Sequence, residues 1–357
     1  MSKKVLVAMS GGVDSSVAAF LLKNRGYDCI GCTMKLYENE DIGISKGHTC
    51  CSLSDVEDAR SVAYKLGMPY YVFNFTEHFK EQVIDRFVNS YLEGKTPNPC
   101  IDCNKYMKFD LLYERARILG CDFIATGHYA RIEKTNGEFS LKKAVDISKD
   151  QSYVLYQFTK EQLAHTLLPL GSLHKTEARK IAEENGFLNA DKPDSQDICF
   201  VPDGDYAKII TQYANGNIEN GLFKDTSGNV LGKHNGIIHY TVGQRKGLGL
   251  SLRKSCYVCK IDAKSKDIII GEEKDLFGKE LMATDFHWIS GDIPKVPLDC
   301  HAKIRYGKNE AKATVFQMEE SSVRVVFDEP QRAITPGQRV VLYDGDTVLG
   351  GGVIDTI

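Results

Sequence analysis

The chain has 357 residues, 42% hydrophobic and 26% charged, with 45 Lys and Arg against 48 Asp and Glu and a net charge of −3. That balance is ordinary for a globular protein of two or three domains and excludes an intrinsically disordered one. No apolar run approaches the ~18 residues of a membrane span, and Met-Ser-Lys-Lys passes into a strand pattern without a signal-peptide h-region, so a cytoplasmic protein is expected.

Lys3 to Met9, a short run of Val, Leu, Ala and Met, predicts a buried strand. Ser15 to Asn24 carries apolar residues at helical spacing until Gly26 stops it. The segment Ser10-Gly-Gly-Val-Asp14-Ser-Ser16 therefore falls at a strand-to-helix turn. Such a turn offers free backbone N–H groups, and Gly11 and Gly12 lack the Cβ atoms that would hold an anion away, so the helix N-terminus suits a phosphate. The Gly-Lys-Ser/Thr ending of a Walker loop is absent here.

Cys29 to Leu36 reads as a second strand, and Ser54-Asp-Val-Glu57 as a capping-box start for a helix reaching Leu66. Tyr70 to Phe75 predicts a third strand; helices follow from Phe79 to Leu92 and Met107 to Leu119, ended by Gly94 and Gly120; Phe123 to Thr126 is a further strand. The alternation predicts an α/β fold with a doubly wound parallel sheet, whose ligands lie beyond the strand C-termini. Ser10 to Ser16, Met34 and Gly127-His128 all fall at such ends.

At Tyr129 the alternation stops. Asn136-Gly137 between Arg131-Ile-Glu and Glu138-Phe-Ser-Leu signals a hairpin, and Lys149 to Tyr156 opens a helical region resumed from Glu177 to Asn185. Asn189 to Asp197 is a polar loop ahead of Cys199. Beyond Gly216 the chain turns to short strands and Gly-rich turns. The expected layout is an α/β domain over residues 1–215, a small central domain over 216–280 and a C-terminal β-barrel over 281–357.

Eleven cysteines in a reducing compartment are expected to be core residues or to carry redox, sulfur or metal chemistry. Cys29 and Cys32, like Cys256 and Cys259, lie in predicted strands, where residues three apart point to opposite faces and cannot bind one atom. Cys100 and Cys103 follow Thr96-Pro-Asn-Pro99, read as an extended loop in which both thiols can turn the same way. Cys199 ends a polar loop and has a similar claim. Cys50, Cys51, Cys121 and Cys300 are read as structural, with Cys51 in a loop after His48.

Ser10 to Ser16 resembles the PP-loop of ATP pyrophosphatases, in which the loop holds the leaving pyrophosphate. Together with Thr96-Pro-Asn-Pro99, Cys103-Asn-Lys, Lys108-Phe109, Ala125-Thr-Gly-His-Tyr129, Lys149-Asp-Gln-Ser-Tyr153, Cys199-Phe200 and Thr241-Val-Gly-Gln-Arg-Lys-Gly247, it makes the whole chain similar to the tRNA-specific 2-thiouridylases. The resemblance implies a PP-loop domain, a small central domain and a β-barrel. It implies ATP-dependent thiolation of the wobble uridine, U34, in the tRNAs for Lys, Glu and Gln, with Mg²⁺ and a sulfur donor such as a cysteine desulfurase or sulfur relay protein. Ala8, Met9, Ser10, Gly11, Gly12, Val13, Asp14, Ser15, Met34 and Gly127 would contact ATP, with Asp14 organising the metal or the loop. Asn98, Pro99 and Cys100 would border the target base. His128, Lys149, Asp150, Gln151, Arg305, Tyr306 and Gln338 would touch tRNA, with Gln244-Arg-Lys246 and the barrel holding its body.

Within that scheme Cys103 is the nucleophile and Cys199 receives sulfur as a persulfide, a Cys103–Cys199 disulfide being left for reduction. Many relatives carry Asp where this chain has Cys100. If Cys100, Cys103 and Cys199 meet, three thiolates can hold a [4Fe–4S] cluster with one iron open; metal-free persulfide chemistry is the alternative, and closed structural zinc ranks below both. Two other readings share part of the pattern: a PP-loop synthetase that adenylates a carboxylate, which needs neither thiol, and a non-catalytic RNA-binding protein with a relic loop. An acidic chain must hold tRNA through basic residues gathered on one face.

Overall fold

The computed structural model describes residues 2–38, 53–194, 198–201, 204–251 and 254–356. Strand β1 (Lys4–Ala8) is buried along Val5, Leu6 and Val7, since layers of side chains cover both faces of its sheet. Helix α1 (Val13–Asn24) follows, and Gly26 at φ +82° supplies the left-handed residue that ends it. Then come β2 (Asp28–Lys35), α2 (Leu53–Lys65) and β3 (Tyr70–Asn74). Helix α3 runs through Thr76–Phe79, a π-helical turn at Lys80–Ile84, and Asp85–Leu92. Helix α4 is built alike from Pro99–Asp102, a π-helical stretch Cys103–Leu111, and Leu112–Ile118.

After β4 (Phe123–Ala125), strands β5 (Ala130–Thr135) and β6 (Glu138–Lys143) form the expected hairpin. Its turn residues Asn136 and Gly137 have φ of 54° and 91°, as a two-residue turn of this hand requires. Short 3₁₀ turns at Ile147–Lys149 and Ser152–Leu155 lead to α5 (Lys160–Ala164), β7 (Thr166–Leu167), α6 (Lys175–Glu184) and α7 (Tyr206–Tyr213).

β3, β2, β1, β4 and β7 pair in that order as one parallel sheet. The chain moves outward from β1 to β3, then returns to the other side of β1 at β4. This reversal puts a crevice at the C-terminal ends of β1 and β4, where open α/β sheets bind ligands. Leu6 and Cys32 pack in the core on one face; Val5, Val7 and Cys29 pack on the other, as strand alternation demands.

The central domain is a four-stranded sheet in the order β10-β11-β8-β9, made of β8 (Gly221–Asp225), β9 (Val230–His234), β10 (Tyr257–Asp262) and β11 (Asp267–Gly271). The last is a barrel of β12 (Phe277–Trp288), β13 (Leu298–Lys303), β14 (Ala311–Glu319), β15 (Ser322–Arg332), β16 (Arg339–Asp344) and β17 (Thr347–Thr356), closed by pairing of β12 with β17. Hairpin β5–β6 continues that sheet, with Lys142 of β6 opposite Thr347 of β17.

Several expectations need correction. Helix α4 begins at Pro99 rather than Met107, because Asn98 caps it, accepting from the Cys100 N–H at 3.1 Å, and proline is favoured in the first turn. Cys100 and Cys103 therefore lie on a helix, not in an extended loop. Helix α2 starts at Leu53, so Ser54 sits inside its first turn. The helical region at 149–156 amounts to 3₁₀ turns. Strand β7 is too short to leave a periodic signal, and α7 is rich in the β-formers Ile, Thr and Tyr, which hid it. His48, Cys50 and Cys51 lie outside the described residues. Among the described residues no helix is long and apolar enough to cross a membrane.

Candidate functional site

The phosphate-type loop crosses from β1 to α1 and is closed by its own hydroxyls. Ser15 Oγ donates to Gly12 O at 3.0 Å and accepts from Ser10 N at 3.2 Å, and Ser16 Oγ donates to Gly12 O at 3.1 Å. Gly11 has φ +75°, and a Cβ there would lie 2.4 Å from the carbonyl oxygen of Asp55. Its missing side chain thus makes room for the backbone of α2, not for an anion as the sequence reading had it. Gly12, the N-cap of α1, has no side-chain cap; a Cβ on it would meet only Ser10 Oγ, at 3.5 Å. The first N–H groups of α1 are therefore left to a ligand or to water, and they fit a phosphate.

Neighbouring strand ends complete this crevice. Ala8 and Met9 are buried, and Thr33 Oγ1 donates to Met9 O at 2.5 Å, fixing the end of β2 that carries Met34. A Cβ on Gly127, just past β4, would sit 2.8 Å from both Asp14 C and Ser15 N, so only glycine lets this segment approach α1 so closely.

Residues that sequence reasoning missed clamp the loop from outside. Lys175 Nζ, on the first turn of α6 and nearly buried, lies 2.7 Å from each oxygen of Asp14, and Tyr129 OH donates to Asp14 Oδ1 at 2.8 Å. Lys175 also pairs with Asp194 at 2.8 Å; Asp194 in turn meets Lys149 and Arg179, each at 2.9 Å. Burial opposes the charge of Asp194, but hydrogen bonds from Lys175 and Lys149 outweigh it and hold the carboxyl at about 2. Asn189 Nδ2 donates to Gly11 O and to Ser16 Oγ, both at 2.9 Å, and Lys192 ties Gly11 O at 3.4 Å to Asp55 and Asp58. One signal was available: a lysine in a helix's first turn opposes the helix dipole and needs an anionic partner.

Cys100 is exposed and Cys103 half-buried; three apart on a helix, they share a face. Burial pushes the Cys103 thiol up to about 11, with the Lys108 ammonium pulling the other way. The carbonyl of Cys199 accepts from Tyr37 OH at 2.7 Å, and Phe200 is packed edge-on against Phe79 and Phe87 at 5.7 and 5.3 Å. Met34, Cys103 and Cys199 pack against one core cluster. Among the described residues no disulfide is formed, and no three Cys, His, Asp or Glu side chains gather as a metal-ligand set. The three-thiolate arrangement of Cys100, Cys103 and Cys199 is thus not assembled.

Of the remaining candidates, Gln338 and Arg305 fasten one domain to another, while His128, Lys149 and Gln151 find their polar partners within the first domain. Thr96 N donates to Pro336 O at 2.8 Å and Gln338 Nε2 to Thr96 O at 2.9 Å, so a barrel loop grips the segment leading to Asn98 and Pro99. Arg305 donates to Val242 O at 3.0 Å and to Thr335 Oγ1, joining barrel to central domain. Tyr306 is 43% exposed, with Lys303 Nζ 5.8 Å from its ring. His128 is buried between Thr126 Oγ1, at 2.7 Å from Nδ1, and Lys108 Nζ, at 3.4 Å from Nε2. Burial, with help from Lys108, pushes its imidazole well below the usual range, so it is neutral; since an ammonium only donates, Nε2 accepts and Nδ1 carries the proton. Asp150 is buried and accepts from Ala144 N at 2.9 Å and Ser152 Oγ at 2.7 Å, holding the turn that presents Lys149. Gln151 and Tyr129 exchange two hydrogen bonds, of 2.9 and 2.8 Å.

Family models cover all three parts of the chain: a tRNA methyl transferase HUP domain matches residues 3–203, a tRNA methyl transferase PRC-barrel domain 208–272, and an aminomethyltransferase beta-barrel domain 278–354. A protein of Clostridioides difficile (strain 630) named tRNA-specific 2-thiouridylase MnmA is 56% identical over 357 residues, covering 99% of each chain. Proteins of the same name from Acetivibrio thermocellus and Clostridium beijerinckii are 53% and 51% identical, covering at least 99% of both chains. With a PP-loop at the sheet's switch point, a PRC-barrel beside it and a closed barrel after it, the chain belongs to the tRNA-specific 2-thiouridylase family.

Proposed function

We propose that this protein replaces O2 of the wobble uridine, U34, of tRNA with sulfur in an ATP-dependent reaction. The observation that carries the reading is the uncapped phosphate loop at the C-terminal end of β1, beside the strand that ends in Met34; that Cys103 and Cys199 border the same large core as Met34 is compatible with it. A uracil oxygen is a poor leaving group. Attack of O2 on the α-phosphate of ATP makes it a phosphate ester and releases pyrophosphate. The α1 N–H groups and loop amides from Ser10 to Ser15 would take charge growing on the pyrophosphate. Magnesium would supply further charge neutralisation when it accompanies ATP, and Asp14, whose oxygens Lys175 and Tyr129 hold in this structure, is the loop carboxylate that would meet it once released.

Sulfur transfer then needs the two cysteines in distinct roles. The terminal sulfur of a Cys199 persulfide attacks C2 and AMP leaves, giving a Cys199–S–S–C2 linkage. The Cys103 thiolate attacks Cys199 Sγ, the electron pair of the broken S–S bond forms C2=S, and a Cys103–Cys199 disulfide remains for an external dithiol to reduce. Asn98, Pro99 and Cys100 would border the splayed-out base, and His128, Lys149, Gln151, Arg305, Tyr306 and Gln338 would contact or shape the RNA surface, with Asp150 holding the turn. The substrates would be cytoplasmic tRNAs for Lys, Glu and Gln, with a cysteine desulfurase or sulfur relay protein as donor.

Mass spectrometry of tRNA nucleosides before and after incubation with protein, ATP and a persulfide donor tests this reading. Formation of 2-thiouridine at U34 with stoichiometric AMP and pyrophosphate is expected; AMP release without any thionucleoside would overturn it. Iron and sulfide content after anaerobic purification tests the metal-free route. An iron-free protein working at full rate supports it, whereas iron lost in Cys100→Ser together with activity would replace it with a [4Fe–4S] site.

A further inference from the structure

The sequence assigns neither Lys175 nor Asp194 a role, yet they form an unbroken ionic chain from the partly exposed Lys149 to the phosphate loop. Lys149 Nζ is 2.9 Å from Asp194 Oδ2, Asp194 Oδ1 is 2.8 Å from Lys175 Nζ, and Lys175 Nζ is 2.7 Å from Asp14. Arg179 is the third cation on Asp194, at 2.9 Å. A second route runs beside the first: Gln151 grips the backbone of Tyr129, whose hydroxyl donates to Asp14 Oδ1. Both routes therefore start in residues 149–151 and end on one carboxylate of the loop.

The electrostatics of the chain give the coupling a direction. Lys175 is shared between two carboxylates, and Asp194 is shared among three cations. The side chain of Lys149 is 41% exposed, so a polyanion can draw its ammonium away, while that of Lys175 is only 9% exposed and must remain paired within the protein. When Lys149 leaves, the charge of Asp194 falls more heavily on Arg179 and Lys175, and Lys175 shifts toward Asp194 and off Asp14. One oxygen of Asp14 is then released toward the crevice, where a cation-accompanied polyphosphate would arrive.

We propose that Lys175 and Asp194 are positioning residues that couple the RNA-facing segment 149–151 to the phosphate loop, so that RNA contact at Lys149 raises the affinity of the loop for magnesium-bound nucleotide. The inference rests on the reading of Lys149 as an RNA contact and of the loop as an ATP site. Coupling of this kind is reciprocal: RNA tightens nucleotide binding and nucleotide tightens RNA binding by the same factor.

Calorimetric titration of magnesium α,β-methylene-ATP, which cannot be split at the α–β bond, into free protein and into protein saturated with an unmodified tRNA transcript reads this directly. Wild type should bind the nucleotide on the order of fivefold more tightly with the transcript present, the lower end of usual allosteric coupling. Lys149→Ala, at a partly exposed position that should leave the fold intact, should bind nucleotide without RNA as tightly as wild type does with it, and the transcript should add nothing. Asp194→Asn should abolish the coupling too. Equal nucleotide affinity with and without transcript in wild type, or undiminished coupling in Lys149→Ala, would overturn the proposal. Failure of wild type to bind the transcript at all would instead remove the functional reading on which it rests.

Discussion

The Cys103 thiol, pushed up to about 11 by burial against the pull of Lys108, is protonated at neutral pH. Its thiolate fraction should rise about tenfold per pH unit below that value. Iodoacetamide labelling of Cys103, followed by peptide mass spectrometry from about pH 7 to about pH 9, should accelerate accordingly, and Lys108→Met should slow it at each pH. A flat profile would mean that something holds the thiolate beyond what this structure contains. His128 has the opposite sign of perturbation. Its folded value lies well below that of the unfolded chain, so the unfolded state takes up the proton first, and stability falls as pH drops below the usual ~6.5. Urea unfolding of His128→Asn should show a shallower loss of stability between about pH 7 and about pH 5 than wild type. At this scale the sequence made Asp14, Cys103 and Cys199 visible through their motifs. Lys175, Asn189 and Lys192 were invisible, because what makes them matter is a contact over more than 130 residues of chain, and no spacing encodes that; Asp194 matters through nearer partners, Lys149, Lys175 and Arg179, at separations that no motif marks.

Adjacent glycines in the loop turn out to have different jobs. Gly11→Ala would force a positive φ on alanine and drive its Cβ into the backbone of Asp55, so a loss of at least about 1 kcal/mol is expected in thermal or urea unfolding. Gly12→Ala meets only an ordinary contact with Ser10 and should fold like wild type while losing AMP formation, because its Cβ borders the free N–H groups of α1. Equal stability of the two variants would contradict the division. Hairpin β5–β6 offers a parallel contrast. Leu141 is fully buried in the core, whereas Arg131 pairs with the partly exposed Glu133 and Asp346. Leu141→Ala should cost about 2–5 kcal/mol, and Asp346→Ala less than about 1 kcal/mol. Hydrophobic alternation and the Asn136-Gly137 turn revealed this hairpin in the sequence, but not that it would join the barrel, since pairing across distant strands leaves no local mark. The start of α4 was missed for the reverse reason: Thr96-Pro-Asn-Pro99 reads locally as extended, yet Asn98 and Pro99 are also good helix-start residues.

Across the whole molecule the net charge is −3, yet residues 216–280 carry 11 Lys and Arg against 8 Asp and Glu. If the central domain supplies part of an RNA surface, affinity for a tRNA transcript should fall linearly in log–log form with salt, by about 0.7–0.9 per phosphate contacted. Filter binding at several salt concentrations measures the slope, and exchanging Arg245 and Lys246 for alanine should reduce it. The three-part architecture was legible from the change of texture along the chain: long helical periods first, short strands and glycine turns later. What texture could not reveal is how the parts are fastened, through Gln338 on Thr96, Arg305 on Val242 and β6 on β17. That last fastening bears on biosynthesis. A ribosome releases β5 and β6 long before β17, so the outer edge of β6 must wait, unpaired, while two further domains are made. A chain interrupted before β17 keeps that edge open to any passing strand, which makes prematurely terminated copies prone to aggregate and natural clients for chaperones that shield strand edges.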